Sequence, residues 1–346
     1  MTRRGLPMAA VIAGLGGWLP PAVVTNEDLC ATLDTTNEWI VTRTGIRERR
    51  MVTGGLSTRD LAVEAGARAL KSAGESAVDA VVVATTSADR LCPAVAPEVA
   101  FRLGVDTVAA FDLTSACSGF PYGLATSAGL IASGVADSVL FIGAEAFTTL
   151  VNPDDRNTAP IFGDGAGAVV LRRGEVDEPG ALGPFDLGSD GARADLLAVP
   201  AGGSRQRSAE AGLGFDVVPT KDWYLQMEGR ALYVQAVERM TASARTVLKR
   251  AGWSVADVDW FIGHQANVRI VRAVAEELEL AEGRVAVNID RVGNTLAASI
   301  PLLLNDTVDR GDLKPGDCVL LSAFGAGLSW GSTVLTWPDI PVDSVR

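Results

Sequence analysis

The chain has one histidine, His264, and four cysteines among 346 residues. The cysteines, Cys30, Cys92, Cys117 and Cys318, form no C-x-x-C pair, and no histidine-rich segment accompanies them. Zinc sites and disulfide frameworks need such clusters. The scarcity therefore argues against a metal site and against a cross-linked secreted domain.

Positive charge and long apolar runs are also scarce. Lys and Arg number 30 against 42 Asp and Glu, for a net charge of −12, so a generic nucleic-acid partner is not expected. No run reaches the roughly 18 apolar residues of a membrane span. The start MTRRGLPMAAVIAGLGGWLPPAVV imitates a signal peptide, but Gly14, Gly16 and Pro20 interrupt it and no Ala-x-Ala pattern follows. We expect a first buried strand there and a cytoplasmic protein.

The chain is instead rich in apolar residues, at 48%, and contains an internal repeat. ARALKSAGESAVDAVVVATT (67–86) matches ARTVLKRAGWSVADVDWFIGHQ (244–265): a helix ends at Ala-Gly and an aspartate then introduces an apolar strand. Two further matches follow in the same order, VAAFDLTSACSGF with VAVNIDRVGNTLAASI, and ADSVLFIGAEAF with GDCVLLSAFGAG. Three matches in one order indicate a duplicated unit.

Apolar strands that alternate with helices predict a mainly parallel sheet covered on both faces. Two such units give an α/β protein with layers in the order α-β-α-β-α. The matched segments place Cys117 and Asn294 at corresponding strand-to-helix junctions. We expect these two residues to meet His264, which follows an apolar strand, near the axis that relates the units.

Each candidate also has a structural interpretation. Small cysteines are usually inert packing, but a cysteine that opens a helix meets the positive end of the helix dipole, which lowers the thiol pKa. A lone histidine is more often structural, and Gly-Asn in RVGNTLAAS is typical of turns and helix caps. The glycines of FGDGAGAVV lack the lysine of a phosphate loop and favour close packing between the halves.

Five motifs together resemble the β-ketoacyl-acyl-carrier-protein synthase III family of the thiolase superfamily, from about residue 10 to 337. They are TTNEWIVTRTGIRERR, DLTSACSGF, GHQAN, GNTLAAS and FGAGLSWG. The resemblance implies a duplicated thiolase-like five-layer fold and a homodimer. It divides the chain into an N-terminal half, 1–180, with the nucleophilic cysteine, and a C-terminal half, 181–346, with the histidine and asparagine.

The resemblance also implies a Cys-His-Asn site. Cys117 would take an acyl group from acyl-coenzyme A as a thioester. His264 and Asn294 would stabilise the enolate that forms as malonyl-acyl-carrier protein loses carbon dioxide, and its attack would give a 3-ketoacyl thioester. The backbone N–H groups of Cys117 and Ala326 would hold the oxyanion, although the family usually has glycine at the latter position.

Coenzyme A is implied as a substrate thioester, with no tightly bound cofactor. Trp39 and Arg156 would sandwich the adenine, Thr35 would contact the base, Arg43 the phosphates and Asn267 the pantetheine arm.

The acyl pocket implied by the resemblance departs from the family at Cys92, where acetyl-using members often have a phenylalanine that crosses the dimer. We therefore expect a primer longer or more branched than acetyl. The remaining pocket residues would be Phe147, Phe162, Leu197, Leu225, Met227 and Gly229. The segment 202–229 is expected to form a flap over this pocket.

A second departure concerns carrier-protein docking. Arg269 and Arg272 fit an acidic carrier protein, but Glu276 and Glu277 follow where the family is commonly basic, which predicts weaker docking or a different acceptor.

Three functional interpretations stay open. Elongating synthases need two histidines, thiolases need a second cysteine, and hydroxymethylglutaryl synthases need an upstream glutamate that is not found here. Fatty-acid initiation by acyl-CoA-primed condensation remains, beside a starter-unit ketosynthase or acyltransferase of polyketide or other secondary metabolism. A non-catalytic dimeric binding module is the alternative from another class.

Overall fold

The structure, a computed structural model, describes residues 8–105, 107–209 and 218–344. The strands are β1 (Met8–Trp18), β2 (Ala22–Thr25), β3 (Glu48–Met51), β4 (Ala80–Ala84), β5 (Ala109–Leu113), β6 (Ser138–Glu145), β7 (Gly165–Glu175), β8 (Phe185–Ser189), β9 (Leu197–Ala198), β10 (Gln226–Met227), β11 (Trp260–Gly263), β12 (Cys318–Gly325) and β13 (Ser329–Thr336). The helices are α1 (Asn26–Cys30), α2 (Asn37–Thr44), α3 (Thr58–Ala73), α4 (Ala96–Arg102), α5 (Gly119–Ala132), α6 (Ser204–Ala209), α7 (Gly229–Ala251), α8 (Val268–Glu277), α9 (Ile289–Val292) and α10 (Ser299–Asp309).

The described strands form two large sheets and two small two-stranded ones. The first large sheet has the order β1-β7-β6-β4-β5, and the second has the order β11-β12-β13-β8. Both are mixed, because β6 and β12 each pair with an antiparallel neighbour as well as a parallel one. The prediction of mainly parallel sheets was therefore wrong in this respect. Parallel neighbours need a long crossover, whereas β12 and β13 are joined by the short turn 326–328.

Five layers result from the packing of helices on these sheets. The helices α5 and α10 lie between the two sheets, in a buried cluster that includes residues of both. The outer face of the first sheet is covered by α3 and α4, and the outer face of the second by α7 and α8. The predicted thiolase-like α-β-α-β-α fold is confirmed. The strands of the two sheets lie within 8–175 and 185–336, and the boundary at residue 180 stays a prediction.

The repeat is visible in the backbone. The helices α3 and α7 both end at a left-handed glycine, Gly74 with φ 68° and Gly252 with φ 73°, and each is followed by the next strand of its sheet. The glycines of FGDGAGAVV pack against the second half as predicted: a Cβ on Gly163 would lie 2.2 Å from the carbonyl oxygen of Val292, and one on Gly167 would lie 2.7 Å from Pro301.

One detail of the repeat differs from the prediction. A 3-10 turn with a positive φ at its first residue precedes α5 and α10, at Ala116 (φ 43°) and Leu296 (φ 47°). The residue that corresponds to Cys117 is therefore Ala297, and Asn294 lies two residues ahead of that turn. The sequence match was misaligned because the second half inserts α9 before its turn, and its counterpart of β5 is only an isolated bridge.

The N-terminal apolar run forms β1, as predicted. Within the described residues, no helix combines the length and the apolar character that a membrane crossing requires.

Candidate active site

Cys117 lies at the junction between β5 and α5. It is the middle residue of the 3-10 turn Ala116–Ser118, and its neighbour Ala116 has the positive φ that few residues other than glycine adopt. Backbone strain of this kind is concentrated at functional positions. The side chain is buried, with 5% of its surface exposed, and it lines a cavity.

The electrostatic setting of Cys117 differs from the prediction. Burial raises the pKa of the Cys117 thiol to about 12, with the Glu145 carboxylate as a smaller cause in the same direction. The prediction that the start of a helix lowers this pKa was therefore wrong. Desolvation of a thiolate outweighs the favourable backbone groups of one turn, so the thiol of Cys117 is protonated at physiological pH.

His264 follows β11 and is held by its backbone, because its N–H donates to the carbonyl oxygen of Ser322 at 2.9 Å. Neither ring nitrogen has a partner among the described residues, although both are buried. Burial lowers the pKa of the imidazole to about 3. The ring is therefore neutral at physiological pH, with one N–H to donate and one nitrogen to accept.

Asn294 is fixed on both its backbone and its side chain. Its N–H donates to the carbonyl oxygen of Ile161 at 2.9 Å, and its own carbonyl oxygen accepts the N–H of Gly163 at 3.0 Å. Its side-chain Oδ1 accepts the N–H of Leu296 at 3.0 Å. Because Oδ1 is engaged in this turn, the Nδ2 amide is the group that Asn294 can offer to a ligand.

These three side chains line one cavity of about 640 Å³. Ala326, on the turn after β12, lines it as well, and its φ is not among the positive values of the described non-glycine residues. The preceding Gly325 must lack a side chain, because a Cβ there would lie 2.8 Å from both N and Cβ of Cys117. The turn that carries Ala326 therefore packs closely against Cys117.

A second cavity of about 570 Å³ adjoins the first and is lined by Trp39, Arg43 and Asn267. The guanidinium carbon of Arg43 lies 4.9 Å from the centre of the Trp39 ring, and that of Arg156 lies 5.2 Å from it. Arg156 also pairs with Asp34 at 3.1 Å. The structure thus gathers an indole and two guanidinium groups, which suit an aromatic base and its phosphates.

Asn267 lines both cavities. Its Oδ1 accepts the N–H of Arg269 at the start of α8, and its Nδ2 donates to the carbonyl oxygen of Arg43, each at 2.9 Å. It therefore connects the tryptophan cavity with the cysteine cavity, where a pantetheine arm would run. Thr35 lines neither cavity, and its Oγ1 is buried with no partner among the described residues.

Apolar side chains surround Cys117 in its cavity. Phe147 and Phe162 pack with ring centres 5.0 Å apart, in a buried cluster with Cys117 and Leu225. The predicted pocket residues Leu197, Met227 and Gly229 also line the cavity. Sequence reasoning missed several lining residues: Leu150, Val199, Ala201 and Trp223, which no motif marks, and Leu296, which lies within the motif GNTLAAS.

Cys92 is exposed and does not line the cavity of its own chain. Its neighbour Leu91 does, although 78% of Leu91 is exposed. The predicted role of Cys92 in a partner's pocket stays a prediction. In the segment 202–229, residues 210–217 lie outside the described residues, so the flap prediction applies only to the described parts.

Charged residues of both signs lie along α8. Arg269 and Arg272 are exposed on its first turns, and Glu276 and Glu277 are exposed at its end. Arg269 also lines the tryptophan cavity, 5.9 Å from the ring centre of Tyr233. Arg269 therefore lies at the tryptophan cavity, and neither arginine lines the cysteine cavity.

Glu145 is a buried acid that the sequence reasoning overlooked. It ends β6, and its carboxylate accepts the N–H of Thr86 at 3.0 Å and the hydroxyl of Ser87 at 2.6 Å. Burial raises its pKa to about 7. Thr86 lines the cysteine cavity, so Glu145 supports one wall. The sequence signal that could have identified Glu145 is an acidic residue at the end of the otherwise apolar strand VLFIGAE.

A cysteine on a strained turn, a neutral histidine and an asparagine in one cavity of a thiolase-like fold define the class of cysteine acyltransferases with that fold. The family described as 3-oxoacyl-[acyl-carrier-protein (ACP)] synthase III matches residues 111–191, and its C-terminal part matches residues 248–337. The chain belongs to this family.

Curated relatives support this assignment over nearly the whole chain. Beta-ketoacyl-[acyl-carrier-protein] synthase III 5 of Streptomyces coelicolor is 56% identical over 332 residues, which cover 96% of this chain and 98% of that protein. A crystal structure of 3-oxoacyl-(acyl carrier protein) synthase III from Pseudomonas aeruginosa is 49% identical with a TM-score of 0.89, covering 96% and 99%. The priming β-ketosynthase of the R1128 polyketide pathway is 33% identical with a TM-score of 0.88, covering 99% and 100%.

Proposed function

We propose that the chain catalyses acyl-CoA-primed decarboxylative condensation with malonyl-acyl-carrier protein, giving a 3-ketoacyl thioester. The observation that carries this proposal is the single cavity that Cys117, His264 and Asn294 share. The adjoining cavity around Trp39 suits the nucleotide part of coenzyme A.

In the first half-reaction, the sulfur of Cys117 bonds to the acyl carbon, and the bond from that carbon to the sulfur of coenzyme A breaks. The proton of the thiol ends on the departing coenzyme A, so free coenzyme A leaves. The backbone N–H groups of Cys117 and Ala326 would hold the oxyanion of the tetrahedral intermediate. Loss of one such donor typically slows a reaction by about 100-fold to 1,000-fold.

In the second half-reaction, the malonyl thioester loses carbon dioxide, and the electron pair of the broken bond forms an enolate. Neutral His264 and the Nδ2 amide of Asn294 would donate to its oxygen. The enolate carbon then attacks the acyl carbon on Cys117, the carbon–sulfur bond of the acyl-enzyme breaks, and the released thiolate takes a proton from solvent. The lowered pKa of His264 keeps the ring neutral, so that one ring N–H remains to donate to this oxygen.

The direct test is the mass of the protein after incubation with an acyl-CoA. Wild type should gain one acyl group as a thioester on Cys117, and Cys117→Ser should gain no acyl group in the same time. Absence of any acyl adduct on wild type, with every thioester tried, would refute the proposal. A non-catalytic dimeric module predicts the same absence of an acyl adduct on Cys117.

The primer is proposed to be longer or more branched than acetyl. The apolar lining includes Leu150, Val199 and Trp223 as well as Phe147, in a cavity of about 640 Å³, which gives room for more than two carbons. Straight and branched acyl-CoA thioesters from two to about twelve carbons form a suitable panel, because ligands of this order of size fill apolar pockets of about 300–1,000 Å³. Acetyl-CoA as the fastest acyl donor would contradict the proposal.

A starter-unit role in polyketide or other secondary metabolism is the second candidate. It is favoured by the likeness to the R1128 priming ketosynthase and by the exposed Glu276 and Glu277 at the end of α8. Arg269 and Arg272 would dock an acidic carrier protein. Condensation rates with malonyl groups on a fatty-acid carrier protein and on a polyketide carrier protein from one organism distinguish the two roles.

A homodimer is proposed from the open edge of the first sheet. Among the described strands, the edge strand β5 pairs only with β4, and Leu91 and Phe101, exposed by 78% and 70%, are large apolar side chains in the segment before it. Unpaired edges of this kind are usually covered. Light scattering after size-exclusion chromatography should give twice the mass of the chain, and a monomer at micromolar concentration would contradict the proposal. A cytoplasmic location stays a prediction.

A further inference from the structure

Three serine hydroxyls connect the turn of Cys117 with the turn of Ala326. The Oγ of Ser118 lies 3.0 Å from the Oγ of Ser115 and 2.7 Å from the Oγ of Ser329. The Oγ of Ser329 lies 2.8 Å from the carbonyl oxygen of Ala326. We name Ser115, Ser118 and Ser329 the serine chain.

Ser118 and Ser329 are buried and Ser115 is half-buried, and the serine chain crosses between the two halves. Ser118 is 0% exposed and Ser329 is 6% exposed. Their bond joins positions 211 residues apart, because Ser118 ends the nucleophile turn before α5 and Ser329 begins β13. A hydrogen bond in such a dry place is stronger than one in water, and an unsatisfied hydroxyl there costs more.

The direction of the serine chain follows from a count of its protons. Each hydroxyl carries one proton and accepts at its lone pairs. Two hydroxyl oxygens 2.7 Å apart need a proton between them, and the carbonyl oxygen of Ala326 needs a donor. Ser329 donates to the carbonyl oxygen of Ala326, so the proton between Ser118 and Ser329 is that of Ser118. The order is therefore Ser118 to Ser329 to the carbonyl oxygen of Ala326. The hydroxyl of Ser115 lies 3.0 Å from the Oγ of Ser118 and 3.4 Å from that of Ser329, and its carbonyl oxygen, 2.8 Å from the Oγ of Ser118, accepts only when Ser118 turns away from Ser329.

Among the described residues, the turn that carries Ala326 is otherwise held at its far end. Leu328 exchanges two backbone hydrogen bonds with Asp190, at 2.9 and 3.1 Å. At its near end, Gly325 already lies against Cys117 without room for a side chain. The bond from Ser329 to the carbonyl oxygen of Ala326 therefore fixes the one residue of this turn whose orientation matters for an oxyanion.

We propose that Ser118 and Ser329 are positioning residues, which hold the backbone N–H of Ala326 at the distance from Cys117 that the acyl-transfer oxyanion requires. This inference rests on the proposed function, and it adds a link from the nucleophile turn of one half to the oxyanion turn of the other. Neither hydroxyl contacts substrate in this role. Their removal is expected to affect the rate of acyl transfer rather than the binding of acyl-CoA.

The test compares two reactions of the same sulfur in Ser329→Ala. Acylation by acyl-CoA passes through an oxyanion, whereas alkylation by iodoacetamide is a direct displacement at carbon that forms none. Acylation should slow by about 10-fold to 100-fold, below the full loss of one oxyanion donor, with an unchanged KM for acyl-CoA. Alkylation should stay close to the wild-type rate. Both rates are read from the mass of the Cys117 peptide after rapid quenching, which separates this sulfur from Cys30, Cys92 and Cys318.

Three variants control this experiment. Ser329→Thr keeps the hydroxyl and should restore acylation. Ser332→Ala removes another buried serine pair of the same strand, to Ser322 at 2.9 Å, and should leave both rates unchanged. Ser118→Ala breaks the serine chain one step earlier and should repeat the effect of Ser329→Ala.

The outcomes separate the inference from the proposed function. Unchanged acylation in Ser329→Ala and Ser118→Ala overturns the inference. Acylation and alkylation that fall together also overturn it, because general disturbance of the turn would then explain the loss. A wild-type protein that is alkylated but never acylated refutes the proposed function itself, whatever the serine variants do.

Discussion

The substitution Asn294→Ala separates the two half-reactions. It removes the Nδ2 amide that would donate to the enolate, a loss of about 3–4 kcal/mol for one preorganised donor, or about 100-fold to 1,000-fold in rate. It also removes the bond from Oδ1 to the N–H of Leu296 at 3.0 Å, worth about 1 kcal/mol of folding free energy. Decarboxylation should therefore fall by about two to three orders of magnitude on that basis, while acylation of Cys117 stays nearly intact.

The assay measures each half-reaction alone. Acylation is followed as the mass added to Cys117 in a single turnover with acyl-CoA. Decarboxylation is followed as carbon dioxide released from malonyl-acyl-carrier protein. The control is Thr114→Ala, because this residue occupies the place of Asn294 in the first half and its Oγ1 bonds the carbonyl oxygen of Thr85 at 3.2 Å, outside the residues that line the cavity.

One pattern would refute the reasoning. If Asn294→Ala blocked acylation and spared decarboxylation, the amide would serve the first half-reaction and the assignment of roles would be wrong. Equal losses in Thr114→Ala would show that any weakened turn has the same effect.

Three other changes give measurable outcomes. Gly325→Ala places a Cβ 2.8 Å from N and Cβ of Cys117, and the strain of overpacking should slow acylation by at least about 10-fold. The control is Gly129→Ala in α5, where a Cβ meets nothing within 4 Å; this variant should keep its activity and gain about 0.5–1 kcal/mol of stability. Unchanged acylation in the first variant would contradict the close approach. Burial raises the pKa of Glu145 from 4.5 to about 7, so the folded protein binds more protons than the unfolded chain between these two pH values. Wild type should therefore lose about 3 kcal/mol of stability as the pH rises from the lower value to the higher, and Glu145→Gln should not show this loss. Denaturant titrations at the two pH values that gave the same pH dependence for both proteins would contradict this prediction. Trp39→Ala should raise the KM for acyl-CoA by about 10-fold, for a stacking contribution of about 1–2 kcal/mol, with little change in kcat, and a fall in kcat alone would exclude the nucleotide role.

Much of the fold was predictable because local chemistry and tertiary structure agree. The Ala-Gly ends of α3 and α7 become left-handed glycine caps, and the apolar runs after them become buried strands. The Trp39–Arg43 spacing puts both side chains on one face of α2, one turn apart, so their proximity follows from the sequence, although Arg43 was predicted to contact phosphates and not the indole. The same holds for the glycines of FGDGAGAVV, whose backbone the second half approaches.

Features set by distant parts of the chain were not readable. The pKa of Cys117 depends on how completely remote segments bury the sulfur. The effect of this burial on the pKa is larger than that of the local helix start. The antiparallel pairs in both sheets follow from chain reversals that strand composition does not encode. The counterpart of Cys117 was misassigned because a short helix, α9, shifts the register of one half.

The matched turns at Ala116 and Leu296 bear on the ancestry of the site. Each half keeps the same strained backbone ahead of its central helix, yet only one turn carries a sulfur. At the other turn, Ala297 is 1% exposed and its carbonyl oxygen fills the space where Gly143 lacks a Cβ, while Glu145 occupies the position on β6 that Gly325 holds on β12. The shared backbone is what a duplicated unit predicts, and in the second half packing closes the turn that in the first half opens into the cavity.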